Sequence, residues 1–428
     1  MTGRRAVCGE QGGMIPMRYL FGPDFQKVMG GSMVVAGTAI GAGMLGLPMI
    51  SAGMWFNWSL LALFVSWFCM LRASQAILEV NLNFEPGDSL HTMVNRTLGP
   101  IWSLINGLAV AFVLYTLVYA YVSGGGSVVQ QAMQSSWGYA PPRVLTSLFF
   151  SLLLTACVWW SSQMVDRLSV ILMGGMIITF FLSVGGMIGN ADWGHIWGGQ
   201  ADSGEFIFLF GAVSTYLTSF CFHASVPSLI KYLGKEPRVI NACLRNGTFI
   251  ALLCYLVWIV AADGILSREE FRGVIAAGGN VGDLVAASGS SLGYIIQKML
   301  EFFALFAIAT SFLGAGLGLF DYMADLCNFD NSRRGRTLTM LVTFLPPMLG
   351  GLIWPDGFLA AIGWAGLAAA IWSVIVPALL LHVSRRRGGE ALYRVPGARW
   401  AVPLLLVYGI GVAVCHTLTV LNYLPAFK

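Results

Sequence analysis

Eleven stretches of this chain are each apolar over about the 20 residues that an α-helix needs to cross a bilayer. They run approximately over 28–52, 55–78, 101–127, 144–162, 167–189, 206–231, 241–263, 292–325, 337–354, 357–383 and 400–422. Inside lipid a segment must satisfy its own backbone hydrogen bonds, so each of these runs is expected to be helical. Charged residues make up only 10% of the chain, against about 25% in a soluble domain. The fold class that follows is an all-α integral membrane protein with about eleven transmembrane helices. The eighth run is too long for one straight span, so its end should project into the cytoplasm.

Basic residues orient the array, because cytoplasmic loops carry the excess of Lys and Arg. With the N-terminus inside, Arg96, Arg167, Lys231, Lys235, Arg238, Arg333, Arg334, Arg336, Arg385, Arg386, Arg387, Arg394 and Arg399 fall in cytoplasmic loops. The outer side then holds Arg143, Arg268 and Arg272, with Lys428 at a periplasmic C-terminus. The net charge of +4 reflects these inner loops and gives no reason to expect nucleic acid. Residues 1–27 carry Arg4, Arg5, Arg18 and Lys27 without an early apolar core, and read as a cytoplasmic tail rather than a cleaved signal. Met14 and Met17 are alternative starts for it. The eight cysteines form no CxxC pair and the five histidines are dispersed, so no disulfide framework, metal centre or cofactor is expected. The outer loop at about 264–291 reads as a solvated connection, with a short lid helix as the alternative.

The first run is interrupted where it should be most regular. Its sequence from Gly30 to Pro48 is GGSMVVAGTAIGAGMLGLP, with Gly37, Gly41 and Gly43 crowding the middle. Each glycine costs roughly 1 kcal/mol of helix stability relative to alanine. Gly37 and Gly41 have the spacing of a close helix–helix contact, which is one reading of the stretch. The other is a helix broken at mid-membrane. Its first half would then end in free carbonyls and its second half would begin with free N–H groups, a pairing suited to the ammonium and carboxylate of an amino acid. The sixth run breaks as well, at Ser219-Phe220-Cys221-Phe222-His223-Ala224-Ser225-Val226-Pro227, where a proline and an ionisable side chain fall near the membrane interior. Two interruptions five spans apart enter from opposite sides. That is the layout of a 5+5 inverted repeat, with repeats 28–189 and 206–383 and an extra helix at 400–422, and it favours the binding-site reading.

The stretches that carry these features are VVAGTAIGAGMLGLP (34–48), SFCFHASVPSLIKYLGKEP (219–237), ATSFLGAGLGLFDYMADL (309–326) and FLPPMLGGLIWPDGFLAAIGWAGLAAAIWSVIVPALL (344–380). In them the chain resembles the bacterial hydroxy and aromatic amino acid permease family of the amino acid–polyamine–organocation superfamily. LEVNLNF (78–84) and AFVLYTLVYAYVSGGGSVV (111–129) are most similar to its tryptophan permeases. The resemblance implies a transporter of the bacterial inner membrane that imports aromatic amino acids, tryptophan favoured, by proton symport. A tyrosine or broad aromatic permease is the alternative, with a channel behind it. An enzyme is not expected. One departure stands out: relatives commonly carry a lysine in the fifth span where this chain has Met176.

The candidate substrate-binding residues are the backbone and neighbours of the first break, Gly37, Thr38, Ala39, Ile40, Gly41, Ala42 and Gly43, with Phe220, Phe222 and His223 at the second. Phenylalanine rings stack on an indole, and His223 either hydrogen-bonds or titrates, or is an ordinary satisfied interior histidine. Tyr119 and Tyr121 are two apart and point to different faces, so one of them is expected at the site, and Tyr119 is chosen. Thr310 and Ser311 supply hydroxyls to substrate or ion, or bond back within their helix. Asp321 and Asp325, four apart, are candidate gating partners of Lys231 or Arg238, or are simply solvated. Glu79 and Arg72 share a helix face and are expected to pair, unless Arg72 snorkels. Lys298 and Glu301 should pair locally near the outer surface.

Overall fold

A computed structural model of the chain describes residues 23–197, 205–388 and 392–427. Arg4, Arg5 and Arg18 of the basic tail, its alternative starts and Lys428 lie outside the described residues. Nineteen α-helices and one π-helical turn make up the secondary structure, and there is no strand among the described residues. Nine helices are long and apolar enough to cross a membrane among the described residues. They include α4 (Trp55–Asn81), α6 (Pro100–Trp137), α7 (Arg143–Trp160), α8 (Ser162–Gly189) and α12 (Pro237–Ile265). The others are α15 (Tyr294–Cys327), α16 (Arg333–Ile353), the run Phe358–Arg387 and the run Arg399–Val420 within α19 (Ala398–Val420).

The first span is broken. Its parts are α1 (Pro23–Ala39), α2 (Ala42–Leu45) and α3 (Leu47–Ser51), with a bend of 51° between Phe25–Ala39 and Ala42–Ser51. The sixth is broken too: α10 (Ile207–Ser219) stops, residues 220–224 turn, and α11 (Ser225–Leu233) resumes. With these two, the array reaches the eleven spans expected.

Local chemistry explains several boundaries. The Ser161 hydroxyl accepts from the Met164 amide and separates α7 from α8. Gly138, at φ +68°, ends α6 in the left-handed region that glycine reaches without strain. Since residues 128–137 contain no breaker, α6 runs well past the span read from hydropathy. The tenth span contains a π-turn at Ala370–Ile375, between α17 (Phe358–Ala369) and α18 (Val376–Arg387). It places an extra residue in the helix, and Trp372 and Ser373 on it are buried.

The outer loop is a packed cap rather than a solvated connection. It forms α13 (Arg268–Ala276) and α14 (Val281–Gly289), and Phe271, Val274, Val281, Leu284 and Val285 bury their side chains. Ser267 and Glu270 make a reciprocal capping box at the start of α13. Several ion pairs among the described residues tie together segments far apart in sequence. On one face Lys27 meets Glu236 at 2.9 Å and Glu79 meets Arg385 at 2.7 Å. On the other, Arg143 binds both Asp283 and Asp356, and Arg268 meets Glu205 at 3.0 Å.

Glu79 corrects an expectation drawn from helix spacing. Its carboxylate takes two bonds from Arg385 and one from the Val395 amide, all at 2.7 Å. Arg72 instead donates to Gln75 at 3.1 Å and lies over the Phe68 ring. A guanidinium 306 residues away offers planar two-point geometry that a neighbour on the same helix does not.

Candidate functional site

The two breaks lie against each other. At the first, the Ala42 amide would bond the Thr38 carbonyl in an unbroken helix. It donates instead to Ser311 Oγ of α15, 2.9 Å away. Gly41, in extended backbone, sits so close that a Cβ there would fall 2.5 Å from the same oxygen. A glycine is required at that point because the Ser311 hydroxyl occupies the space of its side chain. The carbonyl of Thr38 is thereby released from the helix.

At the second break, α10 ends on Ser219, whose hydroxyl donates to the Gly43 carbonyl at 3.1 Å and so stitches the two interrupted spans together. The phenol of Tyr255, from α12, lies 2.6 Å from both the Ala39 and the Ser219 carbonyls. The C-terminal ends of α1 and α10 therefore share one donor. Phe220 packs on the Tyr255 ring with centroids 4.9 Å apart, and both side chains are fully buried. Tyr121 of α6 lies beside Ser311 and is buried as well, while Cys221 sits between Tyr255 and Ser373 of the π-turn and keeps partial exposure. The centre of the bundle thus collects interrupted helix ends, the hydroxyls of Ser219, Tyr255 and Ser311 that bridge them, and a set of aromatic rings.

Several expected residues lie elsewhere. Tyr119 is not at the breaks: its hydroxyl donates to the Trp354 carbonyl at 2.7 Å, against the turn at Gly357. Tyr121 takes the central position, because residues two apart on a helix face nearly opposite ways. The Thr38 side chain is exposed and bonds back to the Val34 carbonyl at 2.7 Å, so only its backbone belongs to the break. Gly37 faces Met173 of α8, a packing contact. Ile40 lies half-buried in the break itself. Thr310 bonds back to Phe306 and Ala307, leaving its neighbour Ser311 as the hydroxyl that reaches across. Phe222 and His223 are fully buried and stacked on each other at 4.9 Å. His223 meets the Met70 carbonyl through Nε2 at 3.1 Å and the Trp372 ring edge-on, while its Nδ1 has no partner among the described residues. Asp321, Asp325 and Lys231 are exposed and make no ion pair among the described residues, so an inner gate is not assembled in this conformation. Lys298 does pair with Glu301 at 2.9 Å and also reaches Ser135 and Ser136. Met176 is buried in α8.

The opposite face is tied shut by charge. Arg143 joins α7 to Asp283 on α14 and to Asp356 in the turn before α17, and Asn280 donates to Asp356 at 2.9 Å. Asp283 feels burial, which raises its carboxyl above the usual range, against the opposing pull of Arg143. Tyr255 is not singled out by the sequence, and Ser219 and Cys221 are marked there only as part of the second break. The proline of the sixth span marked the break but not the side chains that fill it.

A helical bundle with two interrupted spans meeting at its centre is a multi-pass membrane transporter, and no fixed soluble domain accompanies it among the described residues. The chain belongs to the tryptophan/tyrosine permease family, which it matches over residues 25–416. It is 47% identical to a tryptophan-specific transport protein of Pseudomonas aeruginosa, covering 94% of this chain and 97% of that one. It is 39% identical to a low affinity tryptophan permease of Escherichia coli, over 93% and 97% of the two chains. A tyrosine permease of Enterobacter agglomerans shares 37% identity over 94% and 98%. The fold is similar to a crystal structure of the Eremococcus coleocola manganese transporter, with a TM-score of 0.60, 11% identity and coverage of 94% and 88%.

Proposed function

We propose that this chain imports tryptophan across the bacterial inner membrane by proton symport, with its N-terminus in the cytoplasm and its C-terminus in the periplasm. The observation that carries the reading is the meeting of the two helix breaks under a single phenol. The carbonyls of Gly37, Thr38 and Ala39 receive the substrate ammonium, and the amides from Gly41 to Gly43, with Ser311, receive its carboxylate. Phe220 and Tyr255 offer ring faces to the indole, a contact worth about 0.5–1.5 kcal/mol beyond area burial. The chain comprises repeats 28–189 and 206–383 with the helix at 400–422 outside them, and rocking of a helix bundle exposes the site to either side. The names of the relatives support tryptophan, and the basic loops support the orientation.

Uptake of labelled tryptophan into vesicles holding the purified protein tests this. An imposed inward proton gradient should drive accumulation, and a protonophore should abolish it. Accumulation that follows sodium instead overturns the coupling, and single-channel currents without saturable uptake overturn the transporter mechanism. The tyrosine permease relative makes a broad aromatic specificity the second reading. Tyrosine and phenylalanine should compete poorly if tryptophan is the substrate, and as well as unlabelled tryptophan if the site is broad.

A further inference from the structure

A cavity of about 560 Å³ lies between α18 and α19 at the end of the bundle where the basic loops gather. His382, Arg386 and Arg399 line it together with Leu379, Val402 and Leu406. No carboxylate lines it among the described residues. Arg385 borders the same space but is already held by Glu79. Arg386 and Arg399 are exposed and make no ion pair or hydrogen bond among the described residues. Arg399 also sits in the first turn of α19, where the helix dipole disfavours a cation and no acidic residue compensates. Trp400, 77% exposed, follows it, and exposed aromatic side chains are enriched where helices meet the membrane surface. Beyond it Val407 and Ile410 are exposed apolar residues of a lipid-facing helix.

We propose that this cleft binds an anionic phospholipid, its phosphate between Arg386 and Arg399 and an acyl chain along Leu379, Val402 and Leu406. Two guanidinium groups without an ion-pair partner among the described residues suit an anion, and the apolar residues that line the same cleft suit a chain attached to it. A zwitterionic lipid brings its own cation and leaves the charge unbalanced. A free phosphate would leave the apolar walls uncovered. The site lies apart from the helix breaks and does not depend on the identity of the transported solute.

The test uses the purified full chain, stripped of lipid in detergent and titrated with phosphatidylglycerol or phosphatidylcholine, with bound lipid counted by native mass spectrometry. Phosphatidylglycerol should be retained well above phosphatidylcholine. Arg386→Gln with Arg399→Gln should weaken phosphatidylglycerol binding roughly 30-fold, as expected for two basic groups at an anionic surface. Arg333→Gln with Arg334→Gln, on the same face but away from the cleft, should leave it unchanged. Val402→Trp, which fills the cleft without altering charge, should weaken binding as well. Equal retention of the two lipids, an unchanged affinity in the Arg386/Arg399 or Val402 variants, or an equal loss in the control overturns the proposal. Displacement of the lipid by excess inorganic phosphate assigns the site to a free anion and overturns it too.

Discussion

Gly41→Ala should damage the site through one displaced hydroxyl. The backbone there is extended, so alanine adopts it without strain. The new Cβ, however, would lie 2.5 Å from Ser311 Oγ, which has to move. That oxygen is the acceptor for the Ala42 amide at 2.9 Å. A buried N–H left without a partner costs about 1–3 kcal/mol, and the reduced freedom of the unfolded chain returns about 0.4–1 kcal/mol. The net loss of about 1–2 kcal/mol falls where the substrate carboxylate is placed, so tryptophan affinity should drop roughly 5- to 30-fold. Ser311→Ala removes the same acceptor without a clash and should weaken binding similarly. In the double variant there is no hydroxyl to displace, so the second substitution should add almost nothing to the first. Binding of labelled tryptophan to the purified variants, read beside their melting temperatures, supplies the cycle. Additive losses in the double variant, or an unchanged affinity in Gly41→Ala, would refute the argument.

Arg385→Gln should lower the melting temperature in detergent sharply, since it strands the buried Glu79 carboxylate at a cost of about 3–5 kcal/mol; a shift of a degree or less would show that the pair is not needed. Arg143→Gln leaves Asp283 and Asp356 without their shared cation, and hydrogen exchange should speed up in α14 while α4 stays protected. Hydrogen bonds from Ser267 hold the Glu270 carboxyl below the usual glutamate range, so it favours α13 above that range and loses this contribution as the pH falls through the lowered value. Protection of the amides of 268–272, taken relative to intrinsic exchange at each pH, should therefore fall at acid pH, and should lose that dependence in Glu270→Gln.

The spans and both breaks were legible because they are local. Twenty apolar residues make a span wherever they stand, and a glycine cluster or a proline disrupts a helix whatever surrounds it. What fills the breaks was less visible. Ser311 carried a motif that pointed to it, but Tyr255 reaches Ala39 across 216 residues and looks like any tyrosine in an apolar run. Helix spacing left the partner of Glu79 open, since a shared face says which residues are near one another, not which guanidinium arrives from another helix. The outer loop looked soluble because its few apolar side chains are spaced for two short amphipathic helices. The π-turn left no mark of its own in the sequence, because an extra residue in a helix changes register rather than composition.

The Tyr255 hydroxyl carries a single hydrogen, yet two acceptors await it. That hydrogen points at one oxygen or the other, so at any instant one half-helix terminates with its lone pairs unanswered. A group bringing three hydrogens at once, as a protonated amine does, ends this shortage on both sides. The one phenol thus couples the end of the first interrupted helix to that of the sixth, so that whatever displaces it from one carbonyl is felt at the other.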